Sequence, residues 1–224
     1  MTRLHIVCEG QTEETLVRDV LIPALCPPLI VDYSLVETSP GHKGGALSYP
    51  RVQRHLRNIL RQSSMPFVTT LFDLYRLESS FPGHAEAKGK PLEQRLSLLN
   101  AKFHEDITAI TNCRPEQFLP CIQPYEFEAL LFSDVPTLTV LETEWTRVTA
   151  KLQVVRDGVE TPEHINDGPE TKPAAHLERH LTQPGYRKTL HGPIAASLIG
   201  LARIEQECRY FAAWLDRLRN LAGP

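Results

Sequence analysis

Short apolar runs rich in β-branched residues alternate with stretches of helical periodicity from Leu4 to Phe132. That alternation does most to narrow what the chain can fold into. Leu4–Cys8 (LHIVC), Leu29–Val36 and Phe67–Phe72 (FVTTLF) read as buried strands, with a fourth at Phe118–Ile122. A helix is expected after Glu9-Gly10-Gln11-Thr12, with Thr12 as its N-cap, Glu13 and Glu14 at its positive end, and Pro23 and Pro27-Pro28 bounding it. A second helix is expected over Ser48–Gln62, with Val52, Leu56, Ile59 and Leu60 on one face. A third is expected over Pro91–Ile110, led by Leu92, Leu96, Leu99 and Phe103. Strands alternating with helices predict an α/β fold with a mostly parallel sheet flanked by helices.

Beyond about Glu142 the pattern weakens, and Pro162, Pro169, Pro173 and Pro184 punctuate it. We expect one domain over residues 1–224, with a core to about 140, a helical insertion to about 190 and C-terminal helices after it. Gly192-Pro193 is expected to open the first C-terminal helix, and Phe211, Trp214, Leu215 and Leu218 mark the second.

Composition trims the function classes. Lys and Arg total 24 against 27 Asp and Glu, a formal charge of −3, which argues against coating nucleic acid by bulk positive charge. No stretch reaches the roughly 20 apolar residues of a membrane helix, so no membrane association is expected. The start, MTRLHIVCEG, turns acidic too early for a signal-peptide core. Five cysteines without CxxC spacing predict neither a disulfide framework nor a zinc site, and a cytoplasmic location fits best.

Ligands of parallel sheets bind at the carboxyl ends of the strands. Acids are predicted there: Glu9 after the first strand, Asp73 after the third, and Glu126 and Glu128 just past the fourth. Carboxylates gathered on one sheet edge repel one another, and a hard divalent cation, Mg²⁺ or Mn²⁺, relieves the repulsion. Glu126 and Glu128 share a face if extended and diverge if helical; EFEALLF holds good helix formers, which favours Glu128 at the metal. Glu13 is a further candidate ligand, its alternative being a helix-start acid. Lys172 and Lys188 are candidates to contact a scissile phosphate. Arg51, Arg54 and Arg57, with Arg61, line the polar face of the second helix and are candidates to track a phosphate backbone, as is Lys43 in the glycine-rich loop. For each of these basic residues the alternative is an ordinary solvated surface. Cys8, Trp145 and Trp214 read as packing residues, and Phe81-Pro82-Gly83 as a turn whose aromatic ring packs on the sheet. The histidines, including His176, His180 and His191, read as exposed.

Val7–Glu14 (VCEGQTEE) resembles the first motif of Toprim domains, and Phe72–Tyr75 (FDLY) sits where those proteins carry Asp-x-Asp. Other stretches resemble the narrower DUF4276 family: Gly44-Gly45 to Tyr49, Phe81-Pro82-Gly83, Pro124–Phe132 (PYEFEALLF), Ile165–Thr171 (INDGPET), Tyr186-Arg187-Lys188 and the Cys208, Phe211, Trp214 ending. The resemblance implies a Toprim-like fold similar to the nuclease domain of overcoming-lysogenization-defect proteins. Those enzymes cleave nucleic acid with divalent metal, work with an ABC-type ATPase and act in phage defence. By it Glu9 matches the Toprim glutamate, a metal ligand or general acid/base, and Asp73 the first aspartate of Asp-x-Asp. Tyr75 replaces the second aspartate, so Glu126, Glu128 or Asp167 would supply the missing ligand. The implied partners are DNA or RNA and an ABC/AAA-type ATPase; a homo-oligomer is left open. The alternative from another class is a non-catalytic partner or sensor module that docks on the ATPase, which the loss at Tyr75 favours.

Overall fold

The computed structural model describes residues 1–39, 42–43, 47–166 and 168–223. In chain order the first part holds β1 (Thr2–Cys8), α1 (Gln11–Leu16), a π-helical turn (Val17–Leu21), α2 (Ile22–Leu25) and β2 (Leu29–Leu35). A small antiparallel pair follows, β3 (Glu37–Ser39) and β4 (His42–Lys43). Next come α3 (Tyr49–Leu60), β5 (Phe67–Asp73), α4 (His84–Ala87), α5 (Leu92–Thr111), β6 (Phe118–Leu119) and β7 (Ile122–Gln123). The remainder is helical: α6 (Val135–Thr139), α7 (Thr149–Asp157), α8 (Pro173–His180), α9 (Lys188–Ile199), α10 (Leu201–Glu207) and α11 (Arg209–Arg219).

The main sheet runs β2-β1-β5-β6, with β7 also pairing β5, and all its pairings are parallel. The α/β class expected from the alternation therefore holds. The chain leaves β1 for β2 on one side, then crosses back to place β5 on the other. The order reverses between β1 and β5, and that switch point opens a crevice at their carboxyl ends. Glu9 directly follows β1 there, and Asp73 ends β5.

Both sheet faces are covered, which is why the strands read as near-continuous apolar runs. Leu4, Ile6, Cys8 and Leu71 face one core, filled by α1, the segment after β7 and the C-terminal helices. Val7, Val68 and Phe72 face the other, closed by α3 and α5. Phe103 on α5 centres the second core, with Phe118 at 5.1 Å, Phe81 at 5.2 Å, Tyr49 at 6.0 Å and Phe72 at 6.2 Å between ring centroids. Phe81 thus packs on the sheet from its turn, and Cys8, Trp145 and Trp214 are buried in the first core.

Several local expectations are corrected. Thr12 does not cap α1. The helix begins at Gln11 behind Gly10, and Thr12 lies buried in its first turn. The first helical segment passes Pro23, which falls in the first turn of α2, and ends at Leu25. The fourth strand is split into β6 and β7 around Pro120-Cys121, where the Cys121 backbone bonds the Thr70 hydroxyl instead. Pro193 does not open α9; the helix starts earlier, at Lys188, with Pro193 inside it. His191 is buried, edge-on to Trp145 at 4.8 Å, because α9 turns that face into the core. Among the described residues no helix is long and apolar enough to cross a membrane.

Candidate functional site

The crevice at the switch point gathers four carboxylates from separate segments. Glu9 follows β1, Glu13 lies in the first turn of α1, Asp73 ends β5, and Glu128 lies in the 3₁₀ segment Phe127–Asp134 after β7. All four are buried. Two backbone amides fix the pair at the strand ends. The Asp73 N–H donates to Glu9 Oε2 at 3.0 Å, and the Phe127 N–H donates to Asp73 Oδ1 at 2.9 Å. A Cβ at Gly10 would lie 3.2 Å from Glu13 Oε2, so a side chain there would press on that carboxylate.

Lys188, the first residue of α9, reaches into this cluster. Its Nζ lies 3.1 Å from Glu128 Oε2, 3.3 Å from Asp73 Oδ2 and 3.6 Å from Glu13 Oε1. α9 approaches α1 closely because Gly192 has no side chain. A Cβ there would meet Phe127 Cε1 at 3.0 Å, the Tyr186 hydroxyl at 3.2 Å and Thr12 Cγ2 at 3.4 Å. Arg76 stands on the other side, 3.7 Å from Glu9 Oε1.

Burial raises the Glu9 carboxyl to about 7, with Glu13 adding to the shift and the Asp73 N–H and Arg76 opposing it. Burial also pushes Asp73 well above the carboxylate range and raises Glu128, in each case against the pull of Lys188. Burial pulls the Lys188 ammonium the other way, but Asp73, Glu128 and Glu13 outweigh it, so Lys188 stays charged at neutral pH.

Glu126 diverges from Glu128. It precedes the 3₁₀ segment in extended conformation and bonds Lys172 Nζ at 2.8 Å and the Ala174 N–H at 3.1 Å. Lys172 also lies 4.4 Å from the centroid of the Tyr75 ring. Tyr75, on the turn Leu74–Arg76, brings an exposed aromatic ring rather than a carboxylate to the site. Both candidate phosphate-binding lysines are therefore engaged with acids. Arg51, Arg54 and Arg57 are exposed on α3, and their side chains make no ion pair among the described residues. Asp167 and the side chain of Lys43 lie outside the described residues.

Sequence reasoning passed over Arg76 and Tyr186. Arg76 stands directly after the FDLY motif and carried a usable signal as the nearest cation to it. Tyr186 stands in the Tyr186-Arg187-Lys188 stretch that carries the family resemblance, which gives it no role of its own. Its hydroxyl is buried without a hydrogen-bond partner among the described residues, and burial, with Glu128 next in effect, holds it well above the usual phenol value.

Glu128 Oε1 is likewise buried without a partner among the described residues. The cluster thus presents hard oxygen donors, one of them orphaned, a donor set that fits Mg²⁺ or Mn²⁺. As they stand, the carboxylates turn to Lys188 and to backbone amides. Among the described residues no group of three or more His, Cys, Asp or Glu is arranged to hold a metal ion.

A family model described as a domain of unknown function, DUF4276, matches residues 8–219. The chain belongs to the DUF4276 family. The match runs from the end of β1 through α11, so every residue of the acidic crevice lies inside the DUF4276 region. No curated protein and no solved structure matches the chain.

Proposed function

We propose that this DUF4276 protein is a divalent-metal-dependent phosphodiesterase of the Toprim nuclease type, acting on DNA or RNA. One observation carries the reading: four buried carboxylates from separate segments converge at the switch point of a parallel sheet, where burial raises Glu9, Asp73 and Glu128. Glu9, Glu13, Asp73 and Glu128 would hold the metal. A bound Mg²⁺ or Mn²⁺ supplies charge stabilisation to a phosphoryl oxygen. Glu13, Asp73 and Glu128 could hold the ion without Glu9, whose carboxyl, raised to about 7 in the metal-free site, would then be fitted to accept or return a proton. Lys172 and Arg76 border the acids and suit the neighbouring phosphates, and the exposed face of Tyr75 suits a base. Arg51, Arg54 and Arg57 would hold the backbone farther out. The resemblance to overcoming-lysogenization-defect nucleases supports an ATPase partner and a role in phage defence.

The test is cleavage of DNA and RNA with Mg²⁺ or Mn²⁺ by wild type, Glu9→Gln and Asp73→Asn. Activity that needs metal and is lost in both variants is expected. Metal-independent cleavage, or equal activity in the variants, overturns the reading.

A second reading, a non-catalytic module that docks on an ATPase, is favoured by Lys188 filling the middle of the acids. Calorimetry with Mn²⁺ separates the two, since a docking module has no need to bind the ion.

A further inference from the structure

The acids of the crevice already hold a cation. Lys188 Nζ lies within ion-pair distance of Glu13, Asp73 and Glu128, the oxygens a divalent ion would need. An ammonium in contact with these oxygens competes with a metal ion for them, and the two like charges repel each other at this range. The lysine balances the site poorly. It brings one ammonium to a cluster of four carboxyl groups, and among the described residues Arg76 pairs with Glu9 alone, from a half-exposed position. It also leaves Glu128 Oε1 buried without a partner among the described residues. The lysine has a way out. Its side chain is 29% exposed, whereas the three acids it touches are nearly sealed. It stands at the first residue of α9, next to the extended Arg187, so a change of rotamer moves the ammonium towards solvent without moving the helix.

We propose that Lys188 is a built-in counterion that keeps the metal-free site assembled and must withdraw for a divalent cation to bind, so that metal loading and exposure of the Lys188 ammonium are a single switch. The inference rests on the metal-dependent reading above and adds to it how loading is controlled. Without metal, the lysine screens acids whose repulsion would otherwise open the crevice. With metal, the same acids are held by the ion and the ammonium stands free at the rim.

Two measurements on the full chain test it. The first is calorimetric titration with MnCl₂ of wild type and Lys188→Met, with melting of each with and without Mn²⁺. Lys188→Met keeps the length of the side chain and removes the charge. It should melt lower than wild type without metal, recover with Mn²⁺, and bind Mn²⁺ about tenfold more tightly. The second needs no variant: reductive methylation of wild type, read by mass spectrometry at each lysine. Mn²⁺ should speed labelling of Lys188 and leave Lys172, still paired with Glu126, unchanged. If Lys188→Met does not fold, the labelling decides by itself.

Mn²⁺ binding by wild type with faster labelling of Lys188, and tighter binding by Lys188→Met, supports the counterion, whereas Mn²⁺ binding by Lys188→Met alone overturns the switch, because the wild-type lysine then never yields to the ion. Mn²⁺ binding by wild type with unchanged Lys188 labelling, and no tighter binding by the variant, overturns the counterion and leaves the metal-dependent reading standing. Absence of Mn²⁺ binding in both proteins overturns the two together.

Discussion

The backbone N–H of Asp73 donates to Glu9 Oε2 at 3.0 Å, so the two strand-end acids are joined through an amide rather than facing each other as bare charges. The bond fixes the Glu9 carboxylate across the gap between β1 and β5. It also makes a specific prediction about which replacements the fold tolerates. Glu9→Gln keeps a carbonyl oxygen for the Asp73 N–H and removes a buried negative charge. Glu9→Ala leaves that N–H buried without a partner, at a cost of about 1–3 kcal/mol. Urea unfolding near neutral pH should find Glu9→Gln at least as stable as wild type and Glu9→Ala less stable. Equal losses in both would show that the amide bond contributes nothing.

Glu163 makes the protein's stability fall as pH rises. Its carboxylate is fully buried and accepts the N–H groups of Tyr210 and Phe211 at the start of α11. Burial nevertheless dominates those bonds and raises the carboxyl from 4.5 to about 7. The folded state therefore holds its proton where the unfolded chain has lost it. The contribution to stability is fullest below about pH 4.5 and is lost as pH climbs through about 7. The span corresponds to about 3 kcal/mol at most. Denaturant unfolding across this window should show a shallower fall for Glu163→Gln than for wild type, the buried acids near Lys188 accounting for what remains. An unchanged slope would remove Glu163 from the explanation.

The sheet was legible in the chain because burial on both faces writes a strand as a short apolar run, and LHIVC and FVTTLF are bounded by turn residues. The acids at the strand ends were legible for the same reason, since once the strands are placed, Glu9 and Asp73 can only fall at the carboxyl edge. Lys172 and Lys188 were legible as candidate cations, but which acids they reach was not. Lys188 lies 115 residues from Asp73 along the chain, and only the packing of α9 on α1, permitted by Gly192, brings the two together. No periodicity in the surrounding stretch signals that approach. The helix ends were misread where backbone bonds, not side chains, do the capping: Gly10 sits at the N-cap of α1 and makes no side-chain bond there.

Lys172 and Glu126 form a separate ion pair beside the crevice, at 2.8 Å, and the two partners are not equal. Glu126 is buried, whereas the lysine is 22% exposed. Loss of the lysine strands a buried carboxylate that keeps only the Ala174 N–H. Loss of the acid frees a lysine that can reach water. Lys172→Met should therefore cost more than Glu126→Gln, about 1–3 kcal/mol for a pair partly open to solvent. The double variant should be more stable than the sum of the two losses predicts. A full double-mutant cycle by urea unfolding measures the coupling, and strictly additive losses would reduce the pair to a surface contact.

Arg51, Arg54 and Arg57 follow one another at three-residue spacing on the exposed face of α3, whose opposite face is anchored by Val52, Leu56, Ile59 and Leu60. Tyr49 and Gln53 on the same helix both bond Asp106 on α5, which holds the helix in place without using the arginines. The three guanidiniums can therefore meet an anionic strand at no cost to the fold. Replacing all three with Gln should leave the melting temperature within a few degrees of wild type, since surface changes away from packed side chains are worth about 0.5 kcal/mol or less each. If nucleic acid runs along this face, the same variant should bind it more weakly. The slope of log affinity against log salt should also flatten by about two to three, because each arginine neutralises one phosphate. Fluorescence anisotropy with a labelled oligonucleotide over a salt series gives both quantities. A weakened affinity with an unchanged slope would mean that the arginines act through the shape of α3 and not through phosphate, and unchanged affinity would place the strand elsewhere on the protein.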